Sequence, residues 1–93
     1  MATMRSKISI PPDVLFRDVD GEAVILNMDT GEYYGLDEVG TRMWTLLAQL
    51  GQIELARQEL LKEYDVEESR LEQDLLDFVG KLEAKELLKT DDT

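Results

Sequence analysis

At Asp37 the apolar period of this chain changes from two to roughly 3.6 residues, which divides it into a strand-forming half and a helix-forming half. Before the switch lie three short strand-like runs. Val14-Leu15-Phe16-Arg17 is the first. Asp20-Gly21 follows, a pair that tolerates the positive φ of a tight hairpin. The second run extends from Glu22 to Met28 around Ala23-Val24-Ile25-Leu26, a segment whose β-branched and aliphatic content suits a buried strand. After the turn residues Asp29-Thr30-Gly31 comes the third run, Glu32-Tyr33-Tyr34-Gly35-Leu36. Two hairpins in series predict a three-stranded antiparallel meander.

After the switch, Asp37 is the expected N-cap, because its carboxylate can accept from the free N–H groups of a first helical turn. Val39, Met43, Leu46 or Leu47, and Leu50 fall on one stripe, widened by Trp44. Gly40 leaves room in the first turn for a close neighbour, and Gly51 ends this helix as a left-handed residue. The spacing predicts a second helix over 52–64, with Ile53, Ala56, Leu60 and Tyr64 inward. A third is expected over 68–86, its start marked by two alternative capping boxes, Asp65-x-x-Glu68 and Ser69-x-x-Glu72. Its stripe is Leu71, Leu75, Phe78 and Leu82, with Leu76 and Val79 beside it, and Leu87-Leu88 folds back onto the core.

The expected fold class is α+β, a three-stranded antiparallel sheet followed by three helices that cover one of its faces. Residues 1–12 read as a flexible arm closed by Pro11-Pro12, residues 13–88 as the domain, and residues 89–93 as a frayed polar tail.

Composition narrows what such a domain can do. With 93 residues there is room for one core, and a chain of this size buries only about two-thirds of the surface exposed on unfolding. Cysteine and histidine are both absent, which excludes disulfides and thiolate nucleophiles and removes the usual zinc ligands. The commonest general acid–base side chain is missing too, so the expectation is a domain that is not an enzyme and carries no cofactor or metal. The formal net charge is −11, which opposes nucleic acid and anionic membrane surfaces as partners. No run approaches the roughly 18 apolar residues of a membrane span, and no signal-peptide pattern precedes Pro11, so the expected location is cytoplasmic. Phosphate-binding glycine motifs, the nucleophile elbow and the EF-hand loop are absent as well.

Two surfaces stand out. The third strand must lie at a sheet edge, where unpaired N–H and C=O groups can receive another chain. It carries two tyrosines, which combine contact area with a polar handle. The plainer alternative is that one tyrosine packs in the core and the other is an ordinary surface residue. The third helix has more apolar residues than one core face needs, so it either serves a groove as well as the core or is fully buried. Its carboxylates, Asp74 and Asp77 among them, alternate with Arg70, Lys81 and Lys85, as on a solvated face with spacings such as Asp77–Lys81.

The segment Met28-Asp29-Thr30-Gly31-Glu32-Tyr33-Tyr34-Gly35-Leu36-Asp37-Glu38-Val39-Gly40-Thr41-Arg42-Met43-Trp44-Thr45-Leu46-Leu47 resembles the signature of the PqqD family. Leu60-Leu61-Lys62-Glu63-Tyr64-Asp65-Val66, Leu71-Glu72-Gln73-Asp74-Leu75 and the closing Leu87-Leu88 resemble that family's later elements, so the likeness spans residues 14–88. It implies a winged helix-turn-helix-like fold that captures the leader segment of a ribosomally made precursor peptide. It also implies delivery of that peptide to a modifying enzyme such as a radical SAM enzyme, a leader protease or a cyclase. By position, Glu32, Tyr33, Tyr34, Gly35 and Leu36 would pair with the leader as an added strand, while Arg70, Asp74, Leu75, Phe78 and Lys81 would line the groove. Asp37 stands where the family often has Asn, and Gly51-Gln52-Ile53 replaces a common Thr cap. The chain looks closer to stand-alone members associated with lasso-type peptides than to the member dedicated to the quinone cofactor.

Competing readings are a winged-helix DNA-binding regulator and a protein-interaction subunit of a larger enzyme complex. From Asp65 onward ten acidic residues face four basic ones, which opposes the regulator.

Overall fold

A computed structural model describes residues 2–20 and 22–91. The elements run β1 (Lys7–Ser9), β2 (Val14–Val19), β3 (Glu22–Asn27), β4 (Tyr33–Leu36), α1 (Glu38–Leu50), α2 (Ile53–Glu63), α3 (Glu68–Ala84) and β5 (Lys89–Asp91). The predicted α+β architecture is present: β2, β3 and β4 form an antiparallel sheet in that order, and three helices follow. No helix among the described residues is long and apolar enough to cross a membrane.

The register aligns Phe16 with Ile25 and Tyr34, and Asp18 with Ala23 and Leu36. Because side chains alternate across a strand, these rows share the face turned to the helices, and Ala23, Ile25 and Leu36 are buried there. Asp20 takes a positive φ of 56° at the β2–β3 turn, while its predicted partner Gly21 lies outside the described residues. Between β3 and β4 the chain makes a bulged turn. Asn27 C=O accepts from Gly31 N–H at 2.8 Å, and Asn27 N–H donates to Glu32 C=O at 2.8 Å. Gly31 supplies the left-handed φ of 81° that such a bulge requires.

Asp37 caps α1 as expected, accepting from Gly40 N–H at 2.8 Å, and Gly51 closes the helix at φ 71°. Met43, Trp44, Leu46 and Leu47 are buried, whereas Val39 is exposed, so the inward face lies to one side of the expected stripe. The core is completed by Ile53, Ala56 and Leu60 of α2, by Leu71, Leu75, Val79 and Leu82 of α3, and by Leu87 and Leu88. Neither expected capping box forms on α3: its N-cap is Glu67, with no side-chain hydrogen bond, and Ser69 Oγ instead donates to Glu67. Arg57 bridges α2 and α3 through Glu54 and, at 2.7 Å, Glu68.

Both termini depart from the sequence reading. Lys7–Ser9, within the segment expected to be a flexible arm, pairs antiparallel with Lys89–Asp91, within the expected tail. Ile8 is buried, Ser6 C=O accepts from Ile53 N–H at 3.2 Å, and Ile8 N–H donates to Gly51 C=O at 2.8 Å. These bonds tie the N-terminus to the α1–α2 corner and the C-terminus to the N-terminus. Asp92 and Thr93, the end of the expected tail, lie outside the described residues.

Candidate functional site

β4 is an edge. On one side it pairs with β3, and among the described residues no strand of the sheet lies on the other. The ladder fixes which of its main-chain groups are free. Antiparallel strands alternate hydrogen-bonded and non-bonded pairs. The Asn27–Glu32 bond at the bulge sets that alternation, so Tyr34 and Leu36 bond towards β3, opposite Ile25 and Ala23. The N–H and C=O groups of Tyr33 and Gly35 therefore point away from the sheet, along the open edge.

Beside this edge runs a groove of about 430 Å³. One wall is Tyr34, Gly35 and Leu36 of β4. The other is Asp74, Asp77, Phe78 and Lys81 of α3, and Asp37, Val39, Gly40 and Met43 of the first turns of α1 form the floor and closed end. The β4–α1 junction is tight because Leu36 precedes the cap directly. A Cβ on Gly40 would come within 3.2 Å of the Asp37 carboxylate and 3.4 Å of Leu36, so this floor position favours glycine. A smaller cavity of about 120 Å³ continues past Val39, Met43 and Asp74 to Arg70, Tyr64 and Val66.

The groove is apolar at its base and charged at its rim. Phe78 and Tyr34 are half-buried against the core. Asp74 lies 3.6 Å from Arg70 in an exposed i,i+4 pair, a geometry worth well under 1 kcal/mol. Asp77 accepts from Gln73 Nε2 at 3.0 Å rather than pairing with Lys81. Away from the groove, Arg42 donates to both carboxylate oxygens of Glu63 at 2.7 and 2.5 Å, which holds that carboxyl below the usual range and fixes α1 to the end of α2. Glu54 is lowered likewise by its hydrogen bonds from Arg57. Among the described residues no group of acidic side chains could hold a metal ion.

The residues singled out from sequence separate into four groups. Tyr34, Gly35, Leu36, Asp74, Phe78 and Lys81 come together around the groove. Tyr33 contributes main chain at the edge, but its ring projects from the opposite, outer face and is 68% exposed. Glu32 and Arg70 are peripheral: Glu32 lies in the bulge 3.4 Å from Lys85, and Arg70 lines only the smaller cavity. Leu75 requires correction. It is fully buried with Leu71, Val79 and Leu82 and faces the core, because the α3 stripe turns about Leu75 and leaves Phe78 at its edge. The sequence reading did not assign Val39, Gly40, Met43 or Asp37 to the groove. The signal was available: with no loop between Leu36 and α1, the first turn of that helix has to stand beside the edge strand.

The profile of the family described as coenzyme PQQ synthesis protein D (PqqD) matches residues 22–88, which is most of the chain and includes both walls of the groove. The chain belongs to the PqqD family. Within known structures, the fold is similar to that of TbiB1 in complex with the TbiA(β) leader peptide, at 40% identity and a TM-score of 0.81, covering 86% of this chain and 93% of that one. It is also similar to lasso peptide synthetase B1 complexed with the leader peptide, at 23% identity and a TM-score of 0.79, covering 89% and 98% of the two chains. The second likeness speaks to the fold. No curated protein matches the chain significantly.

Proposed function

We propose that this PqqD-family domain is a non-catalytic binding protein that captures the leader segment of a ribosomally made precursor peptide and presents it to a modifying enzyme. The observation that carries the reading is the open β4 edge, with outward main-chain groups at Tyr33 and Gly35, beside a groove with an apolar base under Tyr34, Leu36 and Phe78 and a charged rim of Asp74, Asp77 and Lys81. An extended peptide added to β4 would satisfy those groups, and every second side chain would drop into the groove. TbiB1, 40% identical over nearly the whole fold, has been solved with a leader peptide bound.

The chemistry of the chain supports a holder rather than an enzyme. It has neither histidine nor cysteine, and the groove carboxylates Asp74 and Asp77 are solvent-exposed. The location that suits this role is the cytoplasm, where precursor peptides are made. The net charge of −11 favours a basic or mixed-charge leader and enzyme in encounter, and disfavours nucleic acid. The recipient is an enzyme acting on the leader-bearing peptide, of the radical SAM, protease or cyclase class.

Calorimetric titration with the leader half of the precursor encoded nearest the gene tests this. Saturable one-to-one binding, with the peptide recovered chemically unchanged, is the expected result. Heat of binding only from the core half of the precursor would overturn the reading.

A further inference from the structure

Past the open end of the groove, one buried side chain ties the β3–β4 turn to the segment that follows α3. Asn27, the last residue of β3, is only 5% exposed. Its Oδ1 accepts from Asp29 N–H at 2.9 Å and Thr30 N–H at 3.1 Å, which shapes the turn leading into β4. Its Nδ2 donates to the carbonyl of Glu86 at 2.8 Å, immediately beyond α3. Every polar atom of the amide end is thus committed, half to the strand wall and half to the helix wall.

The helix side is built to receive it. α3 ends in a double-bonded cap: Glu86 N–H donates to Glu83 C=O at 3.0 Å and Leu87 N–H to Leu82 C=O at 2.9 Å. Such a cap needs a left-handed residue, usually Gly, yet the position is held by Glu86 at φ 58°. The Asn27 bond falls on the carbonyl of that strained residue. A second, exposed tie, Glu32–Lys85 at 3.4 Å, joins the same two segments and is screened by solvent. At the closed end β4 runs directly into α1, which forms the floor between the walls. At the open end the described ties between the β3–β4 turn and the α3 terminus are these two, and only Asn27 is buried.

We propose that Asn27 is a positioning residue for peptide capture: by bonding the β3–β4 turn to the end of α3, it sets the separation between the β4 edge and the Phe78–Lys81 wall. Asn27 touches no peptide in this account. It acts through β4 and α3, and the inference rests on the leader-capture reading for its consequence but not for its geometry.

Two variants separate the bonds. Asn27→Asp keeps the Oδ1 acceptor for both turn N–H groups and replaces the Nδ2 donor with an oxygen. Asn27→Ser is the milder form, retaining a short acceptor for the turn but unable to reach Glu86. The chain has no cysteine, so Tyr33→Cys and Ala84→Cys can be spin-labelled uniquely and their separation measured by pulsed electron paramagnetic resonance. The expected result in both Asn27 variants is a broader, shifted distance distribution. Leader affinity, measured well below the melting temperature with the leader half of the precursor encoded nearest the gene, should fall roughly tenfold, the loss of one hydrogen bond's worth of preorganisation. An unchanged distance distribution overturns the inference, as does lower thermal stability with unaltered affinity. If the unsubstituted domain does not bind the leader, the capture reading and the affinity consequence both fail, while the distance measurement still decides whether Asn27 sets the walls.

Discussion

The Phe16 ring stacks on Trp44, with centroids 6.3 Å apart and planes 14° from parallel, so the outer strand β2 is joined to α1 by one aromatic pair. Phe16 remains 40% exposed while Trp44 is buried. The pair lies at the β2 edge of the sheet, away from the groove. Phe16→Ala is expected to lower stability by about 1–2 kcal/mol, part area and part ring stacking discounted for exposure. Leader affinity should be unaffected. Denaturant unfolding followed by Trp44, the single tryptophan, measures the first quantity directly. A matching loss of affinity would mean that the two edges of the sheet are coupled.

Acid should loosen the tie between the start of α1 and the end of α2. The Arg42 guanidinium hydrogen-bonds both oxygens of Glu63 and lowers its pKa in the folded state. A lowered folded value means that the bridge's contribution is complete above the ordinary glutamate value of about 4.3 and is lost as pH falls through the folded pKa. Glu54, beside Arg57, behaves in the same sense. Glu63→Gln should therefore show a shallower decline in melting temperature over that acidic interval than the parent, with its largest relative deficit near neutral pH. Parallel pH profiles for the two proteins would contradict the assignment.

On α3, Phe78 and Leu75 make opposite predictions although they are three residues apart. Phe78→Asp should weaken leader binding by about 2 kcal/mol, roughly thirtyfold in Kd, and leave the domain folded, since Phe78 stands at the groove margin. Leu75→Asp should unfold the domain, because a carboxylate would be buried without a partner. Circular dichroism together with a binding titration distinguishes them. A folded Leu75→Asp that has lost only affinity would restore Leu75 to the groove.

That contrast marks the limit of sequence reading here. The change of period at Asp37, the cap itself, Gly31, Gly51 and the meander were all legible, because each rests on local chemistry that survives into the fold. Which residue stands at the centre of the α3 stripe was not. An apolar arc as wide as Leu71, Leu75, Leu76, Phe78, Val79 and Leu82 fits several rotations. Packing against α2 and the returning Leu87-Leu88 chose the one that buries Val79 and frees Phe78. The β1–β5 pairing was hidden for another reason. Lys7-Ile8-Ser9 has one apolar residue and Lys89-Thr90-Asp91 none, and the two segments meet across almost the full chain length. Asn27 was read merely as part of a strand, since its partner Glu86 is 59 positions away.

The most direct test of the central claim is an amide chemical-shift titration of the isotope-labelled domain with the precursor's leader half, read together with hydrogen exchange. Strand addition on β4 predicts saturable shifts in Tyr33–Leu36 and the groove face of α3, with the Tyr33 and Gly35 amides newly protected and those of Tyr34 and Leu36 already protected before peptide is added. Shifts centred on β2 and the Phe16–Trp44 face, with the Tyr33 and Gly35 amides still exchanging freely, would contradict it.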